Sequence, residues 1–445
     1  MTRGKVLPMQ ALVPDKLRVL IRSSWQTVNI GDIAHTFGLL RLLEAHLPGV
    51  EAVLWPCCID RGVRERLLKE FPALEVVEGR LDEEGRPDTQ ELADAWAGAA
   101  LLVHGSGPAV VADDFDAWRK TGKPYVIFGV TVDPTRGEGY EGGTLAQLRG
   151  RVEAFAQGHL KGKLRAVLEA ASFIHCRDTL SLEYLRRQGL GGRAAFGPDA
   201  SFACGSYHAA KAEPLLRRYG LTPGRFICVV PRLRWTPGHE VYPGIVPRHE
   251  GKQAINTRTR EHDHAALREL IIAAVSEGGW QVLLCPEMTY AVEVARRELF
   301  EPLPEEIRQH VAWLDRYWLH DEASAVYAEA AAVVSLENHS PILALAQGTA
   351  AIHIRQPTDT IKGQMWRDLG LDEWFFEVEE TTGNQLWKRL GEMLAHPAET
   401  RRKVEAMQQK VETLQRQMVA TVAEHLPAAE AALGSPVSLT PNPTR

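Results

Sequence analysis

The residues that could do chemistry fall at one kind of place in this chain, directly after short apolar runs that predict buried β-strands. The first set, Asn29-Ile-Gly31-Asp32, follows the apolar run 17–23 and opens a helical pattern. Glycine permits a tight turn and a close approach by a ligand. The Asp32 carboxylate could accept hydrogen bonds from sugar hydroxyls or could cap the following helix, and this set alone favours the cap.

A second set, Ser106 and Gly107 in the sequence HGSGP, follows a strand pattern over 100–105. Backbone N–H groups at the start of a helix can bind an anion. The segment lacks the G-x-G-x-x-G spacing of dinucleotide-binding loops and the lysine of a P-loop. An anion-binding loop and a plain tight turn are therefore equally consistent with it.

Three arginines follow strand patterns and could bind an anionic ligand. Arg177 lies in the run 173–178, and Arg232 and Arg234 follow the strand pattern that begins at residue 225. The planar guanidinium suits phosphate and carboxylate groups. For Arg177 the alternative is an ion pair with a surface carboxylate. For the other two it is an exposed position without a ligand.

The most informative histidine is His339, which follows a strand pattern over 332–337 and precedes a short helical one. Histidine titrates near neutral pH and can act as a general acid, although a lone histidine is more often structural. Glu337 and Asn338 stand directly before it, Arg355 ends the next strand pattern, and Lys362 lies in the loop beyond.

Apolar runs and helical patterns alternate along the chain, which predicts an α/β protein with parallel sheets covered on both faces. A polar segment with Gly and Pro interrupts the series, which then starts again, so we predict two Rossmann-like domains facing a cleft. Ligands of such sheets bind beyond the carboxyl ends of the strands. The predicted boundaries are 1–205 for the N-terminal domain, 206–224 for a linker, 225–375 for the C-terminal domain, 376–428 for C-terminal helices and 429–445 for a disordered tail.

Composition excludes several classes of protein. The chain has 445 residues, and 51 Lys and Arg against 57 Asp and Glu give a net charge of −6. Such a chain lacks the basic field that nucleic-acid binding requires. No apolar run is long enough for a signal peptide or a membrane span, and the six cysteines form no C-x-x-C pair. We therefore expect a reduced, cytoplasmic protein with no nucleic-acid partner and no integral membrane segment.

Taken in order, these motifs resemble the polysaccharide pyruvyl transferase family over about residues 20–370. The pieces that carry the resemblance are NIGD, HGSGP, YVIFGVTVDP, CRDTLSLEYLRRQGL with GPDASF, and SLENHSPILALAQGTAAIHI followed by Lys362 and Gly363. The R-D-x-x-S-x-x-x-L and H-S-x-x-x-A-L-A-x-G elements are the most specific of them. No single piece is convincing alone, whereas the ordered set is.

The resemblance implies a fold of the glycosyltransferase-B type and transfer of a pyruvyl unit from phosphoenolpyruvate to a sugar as a cyclic ketal, without a cofactor or metal. In that reading the catalytic residues are His339, which matches the family's catalytic histidine, and Asp32. The donor-binding residues are Arg177, which matches the family's phosphate-side arginine, with Arg232, Arg234, Arg355, Ser106 and Gly107. The acceptor-binding residues are Asn29, Gly31, Glu337, Asn338 and Lys362.

One residue departs from the family pattern: Glu337 stands where the family has arginine, two residues before the catalytic histidine. A carboxylate about 4 Å from a donor anion would repel it by roughly 4 kcal/mol at an effective dielectric constant of about 20. Either Arg232, Arg234 or Arg355 supplies the missing cation, or the donor has changed. If Glu337 lies beside His339, it would favour the imidazolium and raise the pKa of that ring.

Two other functions remain open on the same fold. One is a glycosyltransferase that uses a sugar nucleotide, for which Asp32 or His35 could serve as the base. The other is a glycan-binding protein that has lost catalysis, which Glu337 favours and the retention of His339, Arg177 and Asp32 disfavours.

Overall fold

The protein, described here by a computed structural model over residues 17–136, 142–205 and 209–427, contains two parallel β-sheets in tandem. The strands of the first sheet are β1 Leu17–Ser23, β2 Val50–Pro56, β3 Glu75–Val76, β4 Leu101–His104, β5 Tyr125–Val130, β6 Phe173–Cys176 and β7 Ala194–Phe196. Those of the second are β8 Phe226–Val230, β9 Gln281–Leu284, β10 Val311–Trp313, β11 Ala332–Ser335, β12 Ala351–Arg355 and β13 Phe375–Glu377.

Helices connect the strands and cover both sheets. They are α1 Ile30–His46, α2 Val63–Glu70, α3 Gln90–Gly98, α4 Ala112–Arg119, α5 Leu145–Ala154, α6 Gly162–Ala170, α7 Thr179–Arg187, α8 Ala209–Arg218, α9 Gly238–Val241, α10 Glu250–Ser276, α11 Ala291–Val294, α12 Glu305–Arg308, α13 His320–Glu329, α14 His339–Ala346, α15 Gln364–Asp368, α16 Gly383–Ala395 and α17 Pro397–Glu424. Within the described ranges, no helix is both long enough and apolar enough to cross a membrane.

Both sheets have the strand order of a doubly wound fold. The first runs β3-β2-β1-β4-β5-β6-β7 and the second β10-β9-β8-β11-β12-β13. Every residue of β5 and of β8 is buried, as expected for strands covered by helices on both faces. The strand order reverses between β1 and β4 and again between β8 and β11. These two reversals define where each sheet offers a ligand crevice.

Helix α1 is the element that brings the first sheet to the second. It begins at a strong cap, since the side chain of Asn29 accepts hydrogen bonds from the backbone of Gly31 at 2.7 Å and of Asp32 at 3.4 Å. Its residues are buried without a break from Ile30 to Leu40. A helix buried all round has no solvent face. Accordingly, α1 contacts α13 and α14 of the second half as well as its own sheet.

The structure confirms the two-sheet α/β prediction and differs from the sequence in detail. The helix predicted over 264–279 begins earlier, at Glu250. The sequence did not predict its first turns because they lie in solvent and carry no apolar pattern. The strand β13 was not predicted and runs past the boundary placed at 375. The segment 206–224 contains α8, which packs against α13. The domain boundaries stay a prediction, and the tail 429–445 lies outside the described residues.

The C-terminal helix α17 crosses both halves. Gln415 donates to the backbone oxygen of Asp199 in the first half at 2.9 Å, and Gln408 donates to that of Leu345 in the second at 2.7 Å. Met418 packs on Gly197, where an added Cβ would lie 2.7 Å from its sulfur. This helix therefore fixes the two halves relative to each other through side chains that the helical pattern alone does not single out.

Replacing Met418 tests this contact. Met418→Ala leaves a cavity at a side chain that is 1% exposed, and we expect it to lower the free energy of unfolding by about 2–5 kcal/mol. Chemical denaturation followed by circular dichroism measures the loss. Gln417→Ala, at the exposed neighbouring position, is the control and should change little. Equal losses in the two variants would contradict the bridging role of α17.

Candidate active site

A histidine–carboxylate pair lies at the carboxyl edge of the second sheet. His339 is the first residue of α14, after β11, and its Nδ1 lies 3.1 Å from a carboxylate oxygen of Glu287, which follows β9. Glu287 also accepts hydrogen bonds from the backbone N–H of Ser340 at 2.5 Å and its hydroxyl at 2.9 Å. Because the carboxylate accepts the proton of Nδ1, the other ring nitrogen, Nε2, is left for proton transfer.

The electrostatics of this pair follow from burial. Both side chains are buried, His339 with 6% exposure and Glu287 with none. Burial opposes ionisation of Glu287, yet the contacts with His339 and Ser340 lower its pKa to about 2. Burial also lowers the pKa of His339, against the opposing effect of Glu287. The imidazole is therefore neutral at neutral pH.

The hypothesis that Glu337 raises the pKa of His339 is wrong. The carboxylate in contact with His339 belongs to Glu287, and the pKa of the ring is lowered by burial. Sequence reasoning missed Glu287, which sits in the sequence CPEMTY. Its position directly after a predicted strand was the signal that could have identified it.

Glu337 belongs to a separate cluster of acidic and basic side chains, in which it lies beside a guanidinium. Its carboxylate lies 3.3 Å from Nε of Arg232, which also pairs with Asp359. Burial raises the pKa of Glu337 to about 8, despite the nearby guanidinium. Lys362 lies in the same field, and burial lowers its pKa. Among the described residues its ammonium group has no hydrogen bond or ion pair, so it is available to an anionic ligand.

The first half contributes a buried chain of charged and titratable groups. His35, on α1 one turn beyond Asp32, places Nε2 3.1 Å from the carboxylate of Asp199 and Nδ1 3.7 Å from that of Asp32. Arg177 donates to Asp199 and to the hydroxyl of Thr131, both at 2.8 Å. Arg177 is 1% exposed, so it pairs with a buried carboxylate, not with the surface carboxylate of the alternative interpretation.

The two halves meet at the first turn of α1. Gly31 lies so close to His339 that an added Cβ would stand 2.0 Å from the ring carbon Cγ. The backbone N–H of Ile30 donates to the backbone oxygen of Glu287 at 3.1 Å, and the side chain of Asn29 approaches its carboxylate at 3.4 Å. The predicted acceptor residues of the first half therefore lie directly against the predicted acid of the second.

Four other predicted donor residues have their polar groups engaged within the protein. Arg234 forms a two-point ion pair with Asp263 at 2.6 and 2.7 Å, and the fully buried Arg355 pairs with Glu377 at 3.0 Å. The hydroxyl of Ser106 donates to the backbone oxygen of Gly129 at 2.8 Å, and so does the backbone N–H of Gly107 at 3.3 Å. These contacts favour structural roles, and the donor roles of all four stay predictions.

Several buried polar atoms at the place where the two halves meet have no hydrogen-bond partner. They are buried, and each would cost about 1–3 kcal/mol if nothing ever bound to it. Among the described residues of the cleft they include Nδ1 of His35, Nε2 of His339, Oε1 of Glu337 and Nδ2 of Asn338. Unpartnered polar atoms that share one crevice between two sheets are typical of a site for a polar ligand.

The same place holds a set of side chains with the composition of a metal site. Ligand atoms of His35, Asp199 and His339 lie within 4.8 Å of one another. The guanidinium of Arg177, however, donates to Asp199 at 2.8 Å. A divalent cation there would stand beside a buried positive charge, and so the arrangement favours hydrogen bonding and proton transfer.

The architecture and the cleft define a two-domain protein of the glycosyltransferase-B type. Solved structures with this fold include the MnaA–UDP complex from S. aureus, a UDP-GlcNAc 2-epimerase from Neisseria meningitidis bound to UDP-GlcNAc, and a UDP-glucose:anthocyanidin 3-O-glucosyltransferase in complex with UDP. Their TM-scores are 0.56, 0.54 and 0.53, with identities of 9%, 8% and 12%. The alignments cover 92%, 92% and 93% of this chain and 97%, 100% and 99% of those chains. At such identities the likeness concerns the fold alone.

The family is established by sequence. The profile of the family described as polysaccharide pyruvyl transferase matches residues 29–356, which span most of the chain. The chain therefore belongs to the polysaccharide pyruvyl transferase family, as its motifs predicted. No curated protein sequence matches it.

Gly31 offers a test of the contact between the halves. Gly31→Ala places a methyl group on the ring of His339, so we expect it to push the two halves apart and to destabilise the protein. The reference is Gly150→Ala in α5, where an added Cβ meets nothing within 4 Å. Alanine in an open helical position should stabilise by up to about 1 kcal/mol. Thermal unfolding of both variants gives the comparison, and a gain in stability at Gly31 would contradict the contact.

The raised pKa of Glu337 predicts a pH dependence of stability. Between its ordinary pKa near 4.5 in the unfolded chain and about 8 in the folded protein, only the folded state holds the proton. Stability from this group is thus full below about pH 4.5 and is lost as the pH rises through 8.

Glu337→Gln removes this titration and measures it. As the pH rises from 5 to 8, the difference in the free energy of unfolding, variant minus unsubstituted protein, should increase by an amount on the order of 1–3 kcal/mol. Urea denaturation across this range provides the values. Glu405→Gln, at an exposed position on α17, should show no such trend. A flat difference at residue 337 would mean that its carboxylate is ionised throughout.

Proposed function

We propose that this protein transfers a pyruvyl group from phosphoenolpyruvate to two hydroxyls of a sugar or glycan precursor, forming a cyclic ketal and releasing phosphate. The observation that carries the proposal is the environment of His339. Glu287 holds its Nδ1, its Nε2 is buried without a partner, and the ring faces the capped first turn of α1 across the cleft. An imidazole held in this way suits a general acid that must act at one fixed position.

The chemistry requires a proton on the methylene carbon of the donor. When His339 delivers it from Nε2, positive charge develops at the adjoining carbon, which the sugar hydroxyl then attacks. By itself the ring is neutral at neutral pH, because burial lowers its pKa. A bound phosphate and carboxylate would favour the imidazolium instead, since nearby negative charge stabilises it. Donor binding therefore charges the acid at the moment it is needed.

The donor's own charge is met by Lys362 and Arg232. The ammonium of Lys362 has no ion pair among the described residues, and Arg232 follows β8 into the same cluster. Arg232 is thus our choice for the cation that replaces the family's arginine. Glu337 need not repel the donor, since its pKa of about 8 leaves it largely protonated at neutral pH. Arg177 completes the positive field from the first half.

The acceptor is proposed to bind against the first turn of α1. The carboxylate of Asp32 accepts a hydrogen bond from Gln26 and is 5% exposed, at the edge of the space that faces His339. Carboxylates suit the orientation of a diol because they accept a hydrogen bond from each hydroxyl. Asp32 would orient the first attacking hydroxyl and take its proton.

Donor screening tests the proposal against its closest rival. Thermal shifts with phosphoenolpyruvate and with a panel of UDP-sugars would separate a pyruvyl transferase from a glycosyltransferase, since a ligand stabilises the native state by mass action. We expect a shift with phosphoenolpyruvate and none with the UDP-sugars. The opposite pattern would favour sugar-nucleotide chemistry on the same fold, and no shift with either would favour a non-catalytic protein.

His339 and Lys362 should separate catalysis from donor binding. His339→Gln is expected to lower kcat about 10²–10⁴-fold with little change in stability. Lys362→Gln should instead raise the Kd of phosphoenolpyruvate roughly tenfold or more, because it removes a charged partner. Phosphate release and isothermal titration calorimetry provide the two readouts.

Matched controls are available for both changes. His264→Gln replaces a buried histidine of α10 whose Nδ1 contacts the backbone oxygen of Arg260, and Lys410→Gln replaces a lysine of α17. Neither should alter kcat or donor affinity. Full activity in His339→Gln would end the proposed mechanism.

A further inference from the structure

The cleft contains a second imidazole, His35, for which the scheme above has no use. His35 is fully buried, and its ring meets that of His339 edge to face with centroids 4.9 Å apart. Its Nε2 lies 3.1 Å from the carboxylate of Asp199. Each half of the protein thus contributes one imidazole that a buried carboxylate holds, Asp199 in the first half and Glu287 in the second.

The contact with Asp199 determines which nitrogen of His35 is basic. Burial opposes ionisation of Asp199, but His35 and Arg177 together hold its pKa well below its usual range. The permanently charged carboxylate accepts the proton of Nε2, which leaves the lone pair on Nδ1. That nitrogen is buried, has no hydrogen-bond partner, and lies 3.7 Å from Oδ1 of Asp32.

We infer that His35 receives, through Asp32, the proton of the first hydroxyl that attacks the donor. The inference rests on the proposed function and assigns a residue that the reaction requires. Forming a ketal removes protons from two hydroxyls and adds only one to carbon. Without another base, Asp32 would have to keep the other proton while the intermediate exists. Nδ1 of His35, next to Asp32, is a basic nitrogen that can accept the proton from that carboxylate.

In the proposed reaction each proton has a donor and an acceptor. His339 gives its Nε2 proton to the methylene carbon, and the first hydroxyl forms a bond to the adjoining carbon while its own proton passes to Asp32 and on to Nδ1 of His35. The bond from that carbon to the phosphate oxygen then breaks, and the phosphate leaves with the electron pair. The second hydroxyl attacks and returns a proton to His339. The proton held on His35 passes back through Asp32 to the departing phosphate.

The groups around His35 are consistent with this role. The charged and titratable groups that face it are Asp32 on its own helix, Asp199 with Arg177 in the first half, and His339 with Glu287 across the cleft. Carboxylate oxygens of Asp32 and Asp199 lie 3.7 and 3.1 Å from its two ring nitrogens. At the stage where the scheme places a proton on His35, His339 has already given up its own.

The variant His35→Gln isolates the relay. Glutamine can still donate to Asp199 from its amide, but it has no basic nitrogen. We expect kcat for ketal formation to fall about 10²–10³-fold, the Kd of phosphoenolpyruvate to stay within about threefold, and the limb due to this base to disappear from the pH profile of kcat. If the glutamine variant does not fold, His35→Asn replaces it in these measurements, after circular dichroism has shown that this variant is folded. His264→Gln should leave all three readouts unchanged.

Isotope exchange separates the two imidazoles. In deuterium oxide with acceptor present, His35→Gln should still exchange the methylene hydrogens of phosphoenolpyruvate, since His339 can protonate carbon, while His339→Gln should not. A purely structural role for His35 would reduce exchange and ketal formation together. Such a parallel loss would overturn the inference.

A double-mutant cycle tests whether His35 acts through Asp32. Asp32→Asn should lose at least as much kcat as His35→Gln, because Asp32 also orients the hydroxyl. The double variant should lose no more than Asp32→Asn alone, because both substitutions interrupt the same proton path. Additive losses in the cycle, or an unchanged kcat in His35→Gln, would overturn the relay. A loss of activity on treatment with a chelator, restored by added zinc, would also overturn it. If the unsubstituted protein forms no ketal from phosphoenolpyruvate, the proposed function itself fails, which is a different result.

Discussion

The site depends on one buried carboxylate, that of Glu287. It accepts hydrogen bonds from the ring of His339 and from the backbone and hydroxyl of Ser340, so it fixes both the proposed acid and the start of α14. The same residue accepts the backbone N–H of Ile30 and approaches the side chain of Asn29, which caps α1. One residue thus links the orientation of the His339 ring to the contact between the two halves, and a shift of either half would disturb both.

A second constraint is the balance of charge in the cleft. Two acidic side chains, Glu337 and Asp359, lie beside Arg232, while Lys362 stands near them without an ion pair in the described part of the chain. Because burial makes it costly for Glu337 to ionise, a proton takes the place of a second cation there. Glutamate in place of the family's arginine is therefore compatible with an anion site, because Arg232, which follows the neighbouring strand β8, supplies a cation there.

The two halves of the site are built in parallel ways. In each, a histidine at the carboxyl edge of a parallel sheet is held by a carboxylate from another strand, and its other ring nitrogen has no partner: His339 with Glu287, and His35 with Asp199. Gly31 permits the two rings to approach, because any side chain there would occupy the place of His339. This arrangement is the one that the proposed proton transfer from two imidazoles requires.

The sequence by itself determined the fold class, the family and most of the strands, because buried parallel strands are continuous apolar runs and their ends carry the motifs. It also singled out His339, Asp32 and Arg177 as candidate site residues, whose roles stay predictions, and the departure at Glu337. It missed Glu287, the role of Asp199 toward His35, and the early start of α10, whose first turns carry no apolar pattern. Which carboxylate meets which imidazole was decided only by the tertiary structure. Residues far apart in the chain become neighbours because the strand order reverses and the two sheets face one cleft. No local sequence pattern predicts which carboxylate then lies beside which imidazole.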